Sequence, residues 1–277
     1  MRSRQRLAIV VPAVAAIAVV FHAAAPRAQI SLVSVQQEIE IGRQADAEVR
    51  KQVPALGDAE ATAYIRGLGD RLARQAAGPG YPYSFSVADY REINAFALPG
   101  GPVWLHRGVV HAATNESQVA GVLAHEVAHI ARRHAAGQLS KAMVANLGLG
   151  LLGAVLGNGG GAGAAQTAAA LLTNGIFLKF SRDDEREADA VGLQLLRRAG
   201  WDGRGMVELF EILQREQRRN PGSVDVFFSS HPPPQDRIAR LRGALPRGGG
   251  GTRDTRQFQT IKARLLRMAP PKPMPRD

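Results

Sequence analysis

The stretch from Asn115 to His134, NESQVAGVLAHEVAHIARRH, constrains this chain more than any other. At its centre stands His125-Glu126-Val127-Ala128-His129, an HExxH sequence within a helical apolar stripe of Val119, Val122, Leu123, Val127 and Ile130. Residues four apart on a helix differ by about 40° in direction and lie one turn above each other. His125 and His129 therefore aim two imidazoles at one point. Glu126 is turned about 100° from His125, so it flanks that point without being a ligand. Two neutral imidazoles and one further protein ligand leave an open position on a tetrahedral zinc ion, where water sits. The zinc acidifies that water and the adjacent carboxylate takes its proton. Two plainer readings compete: ordinary helix histidines, or a metal that only staples the fold. The helical context favours the catalytic reading, with Asn115 as N-cap, Gln118 three residues on and Gly137 as the stop. His134 falls about 180° around the same helix from His125, which makes it a surface residue rather than a ligand. His106 and His111 read as structural or exposed.

With no cysteine in 277 residues, disulfides, thiol nucleophiles and Cys-ligated zinc are excluded. Any metal site must use His and carboxylates. A hydrophobic content of 45% supports a globular chain of one or two domains with a real core. The net charge of +11 raises the question of nucleic acid. Removing residues 1–28 takes away four arginines and no acid, leaving 11 − 4 = +7. The other arginines are scattered among acids, without an aromatic-interleaved basic run. An Arg/Ala/Gly-rich bias accounts for the charge, and no nucleic-acid partner is expected.

Residues 1–28 read as a secretory signal, with Arg2, Arg4 and Arg6 ahead of an apolar run from Leu7 to Phe21. The expected location is the periplasm; an uncleaved inner-membrane anchor is the alternative, although the run is short for a span. Helices are expected over Ser34–Gln52 and Asp58–Ala77. Three short strands follow, at Ser84–Val87, Ile93–Leu98 and Val103–Leu105, with a turn at Pro99–Pro102. These elements predict an α+β domain over 29–245, mostly helical, with a small antiparallel sheet beside the HExxH helix. An edge formed by Asn94, Ala95, Phe96 and Ala97 would pair with an extended peptide substrate, unless the sheet merely backs the core. The stretch 142–178 has no charged residue. Packing on the HExxH helix is its first reading, with a lid or a peripheral membrane contact as alternatives. Its GxGxxG match, Gly148–Gly153, has no preceding strand and is set aside. Residues 246–277 read as a Gly/Pro-rich linker, a short helix over Asp254–Met268 and a disordered tail.

Later in the chain, Ser181-Arg182-Asp183-Asp184-Glu185-Arg186-Glu187-Ala188-Asp189 opens another helix, which Gly200 closes. Glu185 and Asp189 share a face and Glu187 points elsewhere. Glu185 is a candidate third zinc ligand. Asp189 is a candidate acceptor for the other nitrogen of a ligand imidazole. Acids that merely complement a helix N-terminus are the alternative; it weakens beside an HExxH that lacks any other third ligand. A helix over Trp201–Arg215 comes next. His231, in Ser229-Ser230-His231-Pro232-Pro233-Pro234, is a candidate to bond a transition-state oxyanion or to occupy the open metal position. Arg237 is a candidate to neutralise the same oxyanion. A turn histidine and a surface-paired arginine are the plainer alternatives.

HEVAH followed by SRDDEREADAVG resembles the HtpX-like and BepA-like zinc endopeptidases, gluzincins of peptidase family M48, which also holds the prenyl-protein endopeptidases. Their pattern is HExxH and then ExxAD on a later helix. NAFALPGG, NESQVAGVLAHE and SSHPPPQDRI are similar to further family elements, and the resemblance runs from Ser34 to Leu245. It implies a zincin-like domain in which His125, His129 and Glu185 bind one zinc ion, Glu126 is the base and Asp189 is the acid of ExxAD. It implies polypeptide substrates, misfolded or unassembled proteins of the envelope. The chain is expected to differ from membrane members in having no span beyond the signal, and from some periplasmic members in lacking a C-terminal repeat domain. The competing class is an assembly or chaperone-like factor for outer-membrane proteins with a structural metal.

Overall fold

The computed structural model describes residues 31–142, 144, 179–232, 236–246 and 250–275. The expected signal at 1–28, the Gly148–Gly153 match and nearly all of the uncharged stretch 142–178 lie outside them. The chain enters on α1 (Val35–Gln52), whose N-cap Ser34 forms a reciprocal capping box with Gln37. Asp58 caps α2 (Ala59–Ala73) by accepting from the Ala61 amide. Three strands follow, β1 (Ser84–Ala88), β2 (Ala95–Ala97) and β3 (Pro102–His106).

The α+β, mostly helical expectation holds, but the sheet is mixed rather than antiparallel. Its order is β1-β3-β2, with β2 antiparallel and β1 parallel to β3. Two reversals of direction lie between β1 and β3, and β3 inserts beside β1, so the two run the same way. The tight return from β2 to β3 needs Gly100 at φ +70°, where a Cβ would stand 2.6 Å from the Glu38 carbonyl oxygen of α1.

After the short α3 (Arg107–Ala112), Asn115 caps α4 (Glu116–Ala131) by accepting from the Gln118 amide. Every residue of α4 is buried. It is enclosed by α2, the sheet, α5 (Arg182–Arg198) and α6 (Arg204–Arg219). The α4–α6 crossing is close because residue 205 is glycine: a Cβ there would lie 2.5 Å from the Ser117 carbonyl carbon. Short helices α7 (Asp225–Ser230) and α8 (Arg237–Ala244) then lead to α9 (Arg256–Arg267). Among the described residues no helix is long and apolar enough to cross a membrane.

Two expectations are corrected. The HExxH helix stops at Ala131 and not at Gly137. Arg133 takes a left-handed φ of 59°, and its guanidinium donates to Glu38 Oε2 (3.0 Å) and Val33 O (2.6 Å) on the α1 side. A new helical segment starts at 134. These tertiary bonds offset the cost of the left-handed turn. The C-terminal end is also not a disordered tail through residue 275. Phe258, Ile261 and Leu265 of α9 are buried in the same core as α2 and α4. The proline-rich end is held by backbone bonds from Arg91 N to Lys272 O (2.9 Å) and from Lys272 N to Asp89 O (3.0 Å). The Glu116 carboxylate ties the junction together, accepting from Tyr64 Oη (2.6 Å), Trp201 Nε1 (2.7 Å) and the α9 cap Thr255.

If α9 belongs to the core, Phe258→Ala lowers stability by about 3–5 kcal/mol in chemical denaturation. An unchanged midpoint would mean that the segment is an appendage.

Candidate metal centre

The site forms where α4 crosses the first turns of α5. One turn of α4 brings His125 Nε2 within 3.0 Å of His129 Nε2. Ser181 and Asp184 form a capping box that starts α5, which sets Glu185 facing α4. Its carboxylate lies 3.4 Å from His125 Nε2 and 3.3 Å from His129 Nε2. A tetrahedral ion bound at about 2.0–2.1 Å needs donors about 3.3–3.4 Å apart. The two Glu185–His distances meet this, and the 3.0 Å between the imidazoles is somewhat shorter.

His231 follows α7 and enters the same space, its ring stacked on Phe227. Its Nδ1 lies 3.0 Å from Glu185 Oε1. His125, His129, Glu185 and His231 each offer a ligand atom, all within 4.8 Å of one another and all from buried residues. Glu126 lies beside them. Both of its oxygens are buried without a hydrogen-bond partner among the described residues, and His231 Nε2 is 3.7 Å away. Burial raises its pKa above the usual carboxylate value.

Asp189 sits one turn beyond Glu185, with Oδ1 3.3 Å from His125 Nδ1. This is the geometry expected for an acceptor that orients a ligand ring. Burial works against the charged form of His125, yet the bonds to Asp189 and Glu185 carry its pKa up to about 9 in the metal-free site. His129 is pushed well below its ordinary value by burial. Burial opposes ionisation of Glu185, but His231 and His125 hold its pKa well below the ordinary value.

Arg237, the candidate to neutralise an oxyanion, enters the same site from α8. Its guanidinium lies over the Phe210 ring (3.8 Å) and donates from Nη2 to Glu185 Oε2 (2.9 Å) and Asp189 Oδ1 (2.7 Å), and from Nε to Asp189 Oδ1 (3.0 Å). Among the described residues its Nη1, itself buried, has no partner. Two buried acids one helical turn apart need a counter-charge, and Arg237 supplies it. Three buried carboxylates (Glu126, Glu185 and Asp189) face one buried guanidinium.

The expected substrate edge lies on β2, an outer strand of the described sheet. Among the described residues β2 pairs only with β3, and it packs against α4. Asn94 and Ala95 are buried, and Phe96 and Ala97 are half-buried. His106, as expected, is structural, packed against Tyr90 and Phe96.

The sequence pattern misplaces one residue of the site, His134. His134, expected on the surface, is fully buried, with Nδ1 2.9 Å from His129 Nδ1. Its Nε2 lies 3.2 Å from Glu187 Oε2. An unbroken helix would point His134 away from His125, but the break at Arg133 turns it back toward His129. No local signal in the sequence marks that break.

The sequence profile of Peptidase family M48 matches residues 59–245. The chain belongs to peptidase family M48. It is 32% identical over 246 residues to the beta-barrel assembly-enhancing protease of Escherichia coli (strain K12), covering 86% of this chain and 50% of that protein. It is 35% identical over 153 residues to the mitochondrial metalloendopeptidase OMA1 of Schizosaccharomyces pombe, covering 55% of this chain and 44% of that one. With metalloprotease YcaL of Escherichia coli (strain K12), identity is 28% over 185 residues, 65% of this chain and 71% of the relative. The chain thus spans about half the length of the beta-barrel assembly-enhancing protease it matches. In this M48 chain the four clustered donors come from inside the matched region.

Arg237→Met strips the counter-charge from Glu185 and Asp189. Urea unfolding should show a loss of about 3–5 kcal/mol in metal-free protein, and a smaller loss once a divalent metal is added. An equal loss in both would separate the guanidinium from the metal site.

Proposed function

We propose that this M48 chain is a zinc-dependent endopeptidase, with His125, His129 and Glu185 holding about one zinc ion per chain. The observation that carries this is three buried donors 3.0–3.4 Å apart beside a buried carboxylate with no partner. Two imidazoles and one carboxylate, without carbonyl ligands, suit zinc better than magnesium or calcium. When bound, zinc supplies a Lewis acid that polarises a carbonyl and lowers the pKa of water.

The chain's own residues do the rest. Glu126 takes the proton of the attacking water and returns it to the leaving amine. Its burial raises its proton affinity, the direction that favours taking a proton from water. Asp189 orients His125, and Arg237 holds Glu185 and Asp189 in register. An extended polypeptide pairs with β2 at Asn94, Ala95, Phe96 and Ala97 through backbone bonds. Backbone pairing is indifferent to side chains and suits unfolded substrates. The name of the Escherichia coli relative, beta-barrel assembly-enhancing protease, joins proteolysis to beta-barrel assembly. With the secretory pattern at 1–28, this supports the periplasm as location and misfolded or unassembled envelope proteins as substrates.

One observation favours a second reading, an assembly factor with a structural metal. His231 brings the buried donors to four, and a closed four-donor set is what structural zinc uses. Under the peptidase reading His231 is instead a removable occupant of the open position, and it must withdraw before substrate enters.

Glu126→Gln should retain zinc while casein cleavage falls by about 10²–10⁴-fold. Cleavage equal to wild type would refute the assigned base, and a cellular role that persists in this variant would favour assembly. His231→Ala should keep its zinc and cleave casein at least as fast as wild type. Loss of zinc from that variant would support the structural reading.

A further inference from the structure

We propose that His134 and Glu187 form a positioning chain that fixes the ring of His129 in its metal-binding tautomer and thereby tightens the metal site. The proposal rests on the reading of His129 as a ligand. His129 Nε2 is the nitrogen that faces His125 and Glu185. A metal there takes the Nε2 lone pair, so the ring's one proton sits on Nδ1. That nitrogen lies 2.9 Å from His134 Nδ1, which must accept. His134 then carries its own proton on Nε2 and donates it to Glu187 Oε2 at 3.2 Å. Each link permits one arrangement only.

The far end is anchored. Arg132 donates to Glu187 Oε1 from Nε (2.6 Å) and lies 2.5 Å away through Nη2. Phe180 lies flat on His129, with centroids 4.0 Å apart and planes at 27°, which confines the ring. The two histidines of the motif are therefore held by different devices. Asp189 reaches His125 directly. His129 is held through a second imidazole, whose carboxylate partner is 38% exposed. The left-handed Arg133 aims His134 inward, so the chain depends on the helix break.

The test is zinc affinity by chelator competition, read alongside the stability of the metal-free protein. His134→Phe keeps a ring of similar shape without an acceptor, and should bind zinc about 10–100-fold more weakly. His134→Gln, whose amide oxygen can accept from Nδ1, should recover part of that loss. Glu187→Ala should weaken binding less, and the double variant should bind no more weakly than His134→Phe alone, because the two act in series. A purely structural His134 would lower metal-free stability and leave zinc affinity unchanged in all of these; that result overturns the proposal. Should His134→Phe fail to fold, unchanged affinity in Glu187→Ala overturns it equally. His129→Ala is the control for the underlying reading. Wild-type affinity in that variant would remove His129 as a ligand and this proposal with it.

Discussion

Three carboxylates and three imidazoles occupy one helix crossing that water scarcely reaches. Burying an ionised group is costly unless it is paired, and the arrangement of α4, α5, α7 and α8 answers that cost. Glu185 is shared among two imidazoles, His231 and Arg237. Asp189 is shared between His125 and Arg237, with Arg240 approaching at 3.6 Å. Arg237 reaches both acids because it lies on α8, stacked on Phe210 of α6. Among the described residues neither oxygen of Glu126 has a hydrogen-bond partner, which leaves that carboxylate free to take a proton.

The rest of the fold keeps that crossing rigid and dry. The helix bearing the HExxH sequence is buried along its whole length, so its position is fixed from every side. Gly205 lets α6 approach α4 closely enough to seal one flank. The Glu116 carboxylate joins α2, the Trp201 loop and α9 at the opposite end of the same helix. Disturbing the N-terminal end of α4 would therefore reach the metal centre through a single rigid rod.

Local chemistry was legible in the sequence because it acts over a few residues. The caps Ser34, Asp58, Asn115 and Ser181 all form as their side chains suggest. The i, i+4 spacings put His125 beside His129 and Glu185 one turn from Asp189, and the pairing of Asp189 with His125 followed. The strand signals were correct in place but not in direction, because strand order depends on where β3 inserts. The C-terminal prolines suggested disorder, yet the apolar spacing of Phe258, Ile261 and Leu265 carried the opposite signal.

The sequence by itself determined the two presenting helices, their caps, the donor types and the absence of thiol chemistry. Those depend on periodicity and composition, which a linear chain displays directly. Only the tertiary structure decided that Arg237 serves the acids of α5, that His231 joins the donor cluster and that His134 turns inward behind His129. Each of these requires elements far apart in the chain to meet, or a helix to break where a distant carboxylate, Glu38, holds Arg133 in a left-handed turn. Such contacts are set by the packing of whole elements, and no short-range pattern records them.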